Sequence, residues 1–270
     1  MTQQELWERL ELPEKVKKEL MDYENKRVCE IPIAVTEHIL QRTEWDTGTR
    51  ELQEILGEDP DGMKMLWELL DIAVHYSYGE YVKRGISEDI YTATMKFITR
   101  SLRDYEKTYH TYKFGFEWWF PREISLNEYR LGALEYELIE GAEREIGVHI
   151  PSDADLQPES VLQSLQEFFA FRKKFYPEWE SVKLVCESWM MMPELEDLLG
   201  SDSKIVRFQK LFEIDFVDYD ATWYMEWIFP GCAKVDVSLP ERTTLQRHIK
   251  KYLLDGKKFG IAKGHLKISV

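Results

Sequence analysis

Residues 186–210, CESWMMMPELEDLLGSDSKIVRFQK, set a cysteine, a glutamate and a serine side by side at the end of an apolar run. Cys186 and Ser188 are nucleophiles by type, and either needs a base within hydrogen-bond reach to act as one. His149 ends another run that reads as a strand, so it could supply that base if the two strands are neighbours. Against this, Cys186 falls on the same alternating face as Val182 and Leu184, where a free cysteine behaves as a small buried hydrophobe. Ser188 also reads as a strand-end hydroxyl capping the turn toward Pro193. Met190, Met191 and Met192 suit adaptable packing better than a copper(I) box, because thioethers select that ion only in dedicated sites. The stretch therefore reads as a buried strand whose C-terminal end opens onto a cleft.

The elements that would position these residues fall into two textures. Up to about residue 110 the apolar spacing is helical. Leu6, Leu10 and Leu12 lead into a charged helix, Ile33 to Leu40 mark another, and Leu52, Ile55 and Leu56 a third. GEDPDG (57–62) is turn chemistry. From Met63 the positions Leu66, Leu69, Leu70, Ala73, Val74 and Tyr78 trace one helix face. SEDI (87–90) has the form of a helix N-terminus, and the pattern continues toward Tyr109. After Phe114-Gly115 come short aromatic and β-branched runs, EWWFPREIS, YRLGALEYELI and EIGVHIPS, which predict strands. A helix over 158–175, a strand over 181–189, a short helix at PELEDLLG, a helix turn plus strand over 204–217, helices near 220–229 and 243–255, and a last strand GHLKISV complete the reading. The expected class is α+β, with an all-helical N-terminal domain over 1–114 and a mixed α/β domain over 115–270.

The bulk numbers narrow the function. The chain has 270 residues, 44% hydrophobic and 13% aromatic, enough for a sizeable core. Its net charge of −15 repels phosphate backbones and anionic membrane surfaces, so neither nucleic acid nor membrane is an expected partner. Three widely spaced cysteines make no disulfide framework and no zinc site. His75 and His110 are isolated and offer no metal spacing, so no metal is expected. With no apolar run near the roughly 18 residues of a membrane span and no signal-peptide pattern, a cytoplasmic protein is the expectation.

The ordered series YVKRGISEDIYTATMKFI (81–98), YRLGALEYE (129–137), GVHIP (147–151), CESWMMMPELEDLL (186–199), SDSKIVRFQKLFEI (201–214) and TTLQRHIKKYLLDGKKFG (243–260) resembles a family of bacterial acyltransferase-domain proteins. These combine an N-acyltransferase N-terminal helical domain with a GNAT-like C-terminal domain, and the resemblance spans most of the chain. Two positions depart from the expected pattern, Glu187 and Glu135, and both add acid. The resemblance implies an acyl-CoA-dependent N-acyltransferase that takes acetyl-CoA or another acyl-CoA and passes the acyl group to a small-molecule acceptor. Such a fold binds its cofactor in the splay between two parallel strands, with the pyrophosphate on amides of a glycine-rich loop opening a helix. Here that passage is HIPSDADLQPES (149–160), which has no glycine and carries Asp153, Asp155 and Glu159. KKFGIAKG (257–264) matches the loop spacing loosely through Lys257, Gly260 and Ala262. It lies in a basic tract over 242–270 that reverses the chain's charge, and it also reads as a plain turn before the last strand.

Direct acyl transfer needs a general base for the amine and a proton donor for the departing thiolate. By type and position Glu137 and Glu187 are candidate bases and Tyr136 a candidate acid, with Ser188 at the cleft mouth. Arg130, His149, Lys257 and Gly260 are candidate cofactor contacts. Tyr129 is a second candidate acid. Each also has a plain reading as a strand-surface, turn or ion-pair residue. The competing reading of the whole chain is a non-catalytic small-molecule binder that keeps a GNAT-like fold and has lost the CoA loop. An assembly protein using its aromatic surface is a third.

Overall fold

The helical spacing of the N-terminal half buries a continuous set of leucines, isoleucines and aromatics. A computed structural model describes residues 1–28 and 30–267. Contacts divide the chain into two compact units, Met1–Leu131 and Gly132–Val270.

In the first unit run α1 (Gln3–Arg9), α2 (Glu14–Lys26), α3 (Ile33–Leu40), α4 (Trp45–Leu56), α5 (Met63–Ile72), α6 (Tyr78–Arg84), α7 (Glu88–Met95), α8 (Phe97–Tyr109) and α9 (Pro121–Ile124), followed by strand β1 (Glu128–Leu131). Thr2 opens α1 with a capping box shared with Glu5, and Ser87 caps α7 as its position before two acids predicts. Leu6, Leu20, Ile39, Leu52, Leu66, Leu69, Leu70, Ile98 and Leu102 are fully buried between these helices. The long pattern that begins at Met63 is interrupted by a π-helical turn over Ala73–Ser77 before α6. Glu68, 2% exposed, is the one carboxylate of α5 in this core. Arg27 grips it with two donors at 2.7 and 3.0 Å, and the Tyr23 hydroxyl adds a third at 2.7 Å. A buried charge is tolerated when it is paired and hydrogen-bonded in this way.

One expectation changes here. EWWFPREIS forms no strand. The amides of Trp119 and Phe120 both turn back to the Phe116 carbonyl, and Pro121 starts α9. Proline presets the first turn of a helix, and that local preference outweighs the β propensity of the two tryptophans.

The second unit alternates strands and helices: β2 (Leu134–Ile139), β3 (Glu145–His149), α10 (Pro158–Phe175), β4 (Leu184–Ser188), α11 (Leu195–Leu199), α12 (Lys204–Gln209), β5 (Phe212–Asp218), α13 (Tyr224–Ile228), α14 (Thr244–Leu254) and β6 (Ile261–Leu266). The predicted end of the last strand at 268–270 lies outside the described residues. Its strands are ordered β2-β3-β4-β6-β5. The pair β3/β4 is parallel and the other three pairs are antiparallel, so this is a mixed sheet.

Register assigns every side chain of the sheet to a face. Glu137 lies opposite Gly147 and Glu135 opposite His149, while Gly147 pairs Val185 and Glu187 pairs Lys263. Directly opposed residues share a face and successive residues alternate. One face therefore carries Glu135, Glu137, Glu145, His149, Glu187, Lys263 and His265. The other carries Tyr136, Leu138, Ile146, Val148, Leu184, Cys186 and Ser188. Helix α10 packs on this second face. Phe168 stacks on Tyr136 at 4.1 Å between ring centroids, and Ser164 meets the Tyr136 hydroxyl at 3.0 Å and accepts from the Leu134 amide at 3.1 Å. The face under α10 is apolar apart from Ser188 at its end, while the opposite face carries the charged residues together with Ile139 and Val185.

Candidate functional site

On the polar face, the buried Glu137 carboxylate and the half-buried His149 ring come together. His149 Nε2 lies 3.1 Å from Glu137 Oε2. A carboxylate can only accept, so Nε2 carries the proton in this contact and the lone pair of the neutral ring sits on Nδ1. The pair is diagonal in the ladder, because the residue directly opposite Glu137 is Gly147. A Cβ built on Gly147 would stand 3.1 Å from His149 Nε2 and 3.5 Å from the Glu137 Cβ. The bare glycine leaves the space across which His149 reaches back to Glu137.

The strand that carries His149 also borders an opening in the sheet. The parallel pair β3/β4 is registered at Ile146↔Leu184 and Gly147↔Val185, begun by a bond from the Ile146 amide to the Lys183 carbonyl at 2.9 Å. Both strands then continue, β3 to His149 and β4 to Ser188. On its far side β4 stays paired with β6 through Ser188↔Ala262. The ladder of β3 with β4 ends before the strands do, and His149 lies at that end.

The other candidates are distributed as follows. Glu187 is exposed and shares the polar face with His149. Tyr136 is fully buried on the opposite face with its hydroxyl on Ser164, so the structure does not bring Tyr136 and Glu137 into one site. Ser188 Oγ accepts from the Met190 amide at 3.1 Å, a strand-end cap. Cys186 is 1% exposed, and burial, followed by the charge of Glu187, pushes its thiol up to about 12. Arg130 lies in β1 of the first unit, where its amide donates to Thr94 Oγ1 at 3.0 Å. The first unit also holds Tyr129, whose hydroxyl donates to the Leu126 carbonyl at 2.9 Å.

Lys257 stands over the Tyr252 ring at 4.9 Å. Gly260 approaches the backbone of β5 so closely that a Cβ there would lie 1.9 Å from the Asp218 carbonyl oxygen. Much of the basic tract has partners within the unit. Lys258 pairs Asp220 at 2.8 Å, Lys263 donates to both oxygens of Glu145 at 2.8 and 2.7 Å, and Lys250 pairs Glu241 at 2.8 Å.

The acidic passage after β3 is arranged around the start of α10. Asp155 accepts from the Gln157 amide at 3.2 Å and from the Ser160 hydroxyl at 2.6 Å, which hold its carboxyl below the usual range. Lys204 of α12 lies 3.7 Å from the same carboxylate. Its charge is thus turned toward a helix start and a neighbouring cation. Gly147 and Lys204 were not among the residues singled out from the sequence. Gly147 carries a signal, a glycine two residues before a strand-end histidine, whereas Lys204 needs the fold to reach Asp155.

A mixed sheet with one parallel pair that parts at its end, flanked by α10, defines a GNAT-like domain. Residues 128–266 match the GNAT-like C-terminal domain family, and the chain belongs to it. Residues 1–126 match the N-acyltransferase N-terminal domain family. No curated protein matches the chain. Among solved structures it is similar to an acyltransferase in complex with decanoyl-CoA and teicoplanin, at 21% identity and a TM-score of 0.78, covering 98% of this chain and 87% of that one. It is likewise similar to an acyltransferase in complex with CoA and 10C-teicoplanin, and to a mutant acyltransferase in complex with octanoyl-CoA. Both are 20% identical with a TM-score of 0.78, covering 98% of this chain and 87% of theirs. At that identity the likeness carries the fold. Among the described residues no helix is long and apolar enough to cross a membrane.

Proposed function

We propose that this protein transfers an acyl group from an acyl-CoA to an amine of a small molecule, with His149 as the general base and Glu137 as its partner. The observation that carries the reading is the Glu137–His149 contact at the end of the β3/β4 ladder, inside a GNAT-like domain. The opening between the strands beyond Gly147 and Val185 fits an extended thioester arm, and the polar face beside it fits an attacking amine.

In this reaction the thioester supplies an activated carbonyl. As the amine nitrogen bonds to that carbon and the carbon–sulfur bond breaks, His149 Nδ1 accepts the amine's proton. Glu137, holding Nε2–H, stabilises the imidazolium that forms. The proton then returns to the departing thiolate. Buried on the polar face, Glu137 also fixes the ring's orientation, which pre-pays part of the entropy of the proton transfer. In this reading the diphosphate lies at the start of α10, where it competes with the Asp155 carboxylate for Lys204. Octanoyl- and decanoyl-CoA are donors suggested by the similar acyltransferases, which bind them.

The test is thermal unfolding with CoA, acetyl-CoA, octanoyl-CoA and decanoyl-CoA. Ligand at about 100 times its Kd stabilises a protein by roughly 2.7 kcal/mol, a rise in Tm of roughly 5–10 °C at this size. A rise with an acyl-CoA supports the site. No rise with any of the four at millimolar concentration rules it out.

A further inference from the structure

Glu187 stands across the strand opening from His149. The parallel register Ile146↔Leu184 and Gly147↔Val185, continued two residues along both strands, brings His149 of β3 level with Glu187 of β4. Residues two apart on a strand share a face, so both side chains flank the opening on the same side of the sheet. Glu187 is exposed, and its ladder neighbour on β6 is Lys263. That lysine does not pair with it. The Lys263 ammonium reaches past β4 to Glu145 of β3 and donates to both carboxylate oxygens, at 2.8 and 2.7 Å. The Glu187 carboxylate makes no hydrogen bond or ion pair among the described residues. It is an accessible anion whose nearest cation is held elsewhere.

We propose that Glu187 selects the acceptor: a small amine with a second cationic group, which Glu187 holds while the reacting nitrogen meets His149. The inference rests on the acyl-transfer reading above. The two nitrogens need opposite treatment. The attacking nitrogen must be neutral, and a carboxylate beside it would favour its ammonium form. His149 leans toward Glu137 on β2, away from β4, which separates the reacting nitrogen from Glu187. The gap exceeds the roughly 4.8 Å between strands of a closed ladder, so a short spacer must join the two nitrogens. The neutral nitrogen bonds to the thioester carbon as the carbon–sulfur bond breaks. Its proton passes to His149 and on to the thiolate, leaving an amide and a thiol. The second nitrogen stays protonated on Glu187 throughout. Glu135 and Glu137 share this face but are only 6% and 4% exposed, so a solvated cation reaches Glu187 first. The net charge of −15 draws such cations to the protein.

The test is calorimetric titration of the full chain, without acyl-CoA, with 1,4-diaminobutane, butylamine and 4-aminobutanoate. Thiol release from octanoyl-CoA is then followed with the same three amines. The diamine should bind roughly 3–5-fold more tightly than butylamine, the scale of one exposed ion pair, and 4-aminobutanoate should bind most weakly. Glu187→Gln should bring the diamine to the level of butylamine and leave butylamine unchanged. In thiol release its effect should fall on the KM for the diamine and spare kcat, because the second nitrogen is held equally before and during reaction. Glu213→Gln removes the same charge from an exposed position on the same face and should preserve the preference. A diamine that binds no better than butylamine overturns the inference. So does a preference that survives Glu187→Gln, or one that Glu213→Gln abolishes equally. Thiol release without a diamine preference overturns this inference alone. A Glu187-dependent preference in titration, with no thiol release from any amine, overturns the acyl-transfer reading and leaves a cation site at Glu187.

Discussion

His149 and Glu137 sit on neighbouring antiparallel strands, diagonal to one another, and make their 3.1 Å contact across the side chain that Gly147 lacks. If this pair drives proton transfer, His149→Ala should lower kcat by roughly 10²–10⁴-fold, the usual contribution of a general base. Glu137→Gln should cost less, since the ring stays and loses only its carboxylate partner. Acyl-CoA affinity, measured by the shift in Tm, should stay near that of the parent protein in both. A joint loss of turnover and acyl-CoA binding in His149→Ala would instead make His149 a cofactor contact, the other role its sequence position allows.

The thiol of Cys186 supplies a separate expectation. It is buried on the apolar face, and desolvation with the nearby Glu187 charge raises it to about 12. At pH 8 roughly one molecule in 10⁴ would carry the thiolate that reacts with alkylating reagents. Iodoacetamide treatment of the native protein followed by peptide mapping should modify the partly exposed Cys232 and spare Cys186 until denaturant is added. Rapid native labelling of Cys186 would reopen it as a nucleophile.

How much of this could be read beforehand follows from the range of the interactions. Helix and strand patterns depend on residues a few positions apart, so α7 at SEDI, the short helix before Gly200 and the Val/Leu run of β4 were legible. Of the candidates chosen by type, Glu137, His149, Glu187 and Ser188 all fall in the second unit. Their relation was not. Tyr136 and Glu137 are adjacent in sequence and point to opposite faces, while Glu137 and His149 meet only because the β2/β3 register sets a glycine opposite the glutamate. Residues 117–121 show the converse, where aromatic β propensity gave way to a local turn onto Pro121. Of the acids in HIPSDADLQPES, Asp155 is held at the start of α10 beside Lys204, a partnership that needs the fold and is invisible in the sequence.

A pH dependence is built into the first unit. His38 Nδ1 of α3 lies 2.7 Å from the Glu51 carboxylate of α4, and that hydrogen bond raises the imidazole above its ordinary value near 6.5. A raised folded value means the folded state holds the proton more tightly than the unfolded one. The contribution is then complete below the unfolded value and is lost as pH rises through the folded one. Urea denaturation should show it fading as pH rises above about 6.5, and Glu51→Gln should flatten this part of the profile. A slope unchanged in Glu51→Gln would assign the pH dependence to other groups.

Gly260 separates two roles that the sequence leaves together. Its neighbours in KKFGIAKG invite a phosphate-binding reading, yet its Cα faces the Asp218 carbonyl, with a Cβ only 1.9 Å from that oxygen and 2.9 Å from the Tyr219 Cα. Both contacts are backbone, so neither can swing aside as a side-chain tip would. Gly260→Ala must push β5 away from β6 at the Asp218↔Ile261 pair. The expected cost is about 3 kcal/mol, the upper part of the range for overpacking. Lys257→Ala, which removes a cation lying over Tyr252, should cost under about 1 kcal/mol, as expected for an exposed cation–π contact. Urea denaturation of both variants, alongside their Tm shifts with decanoyl-CoA, distinguishes packing from binding. Loss of stability in Gly260→Ala, with the ligand shift preserved in Lys257→Ala, makes this segment a packing joint between two strands. A stable Gly260→Ala that no longer responds to decanoyl-CoA would move the diphosphate contact from the α10 side to this turn.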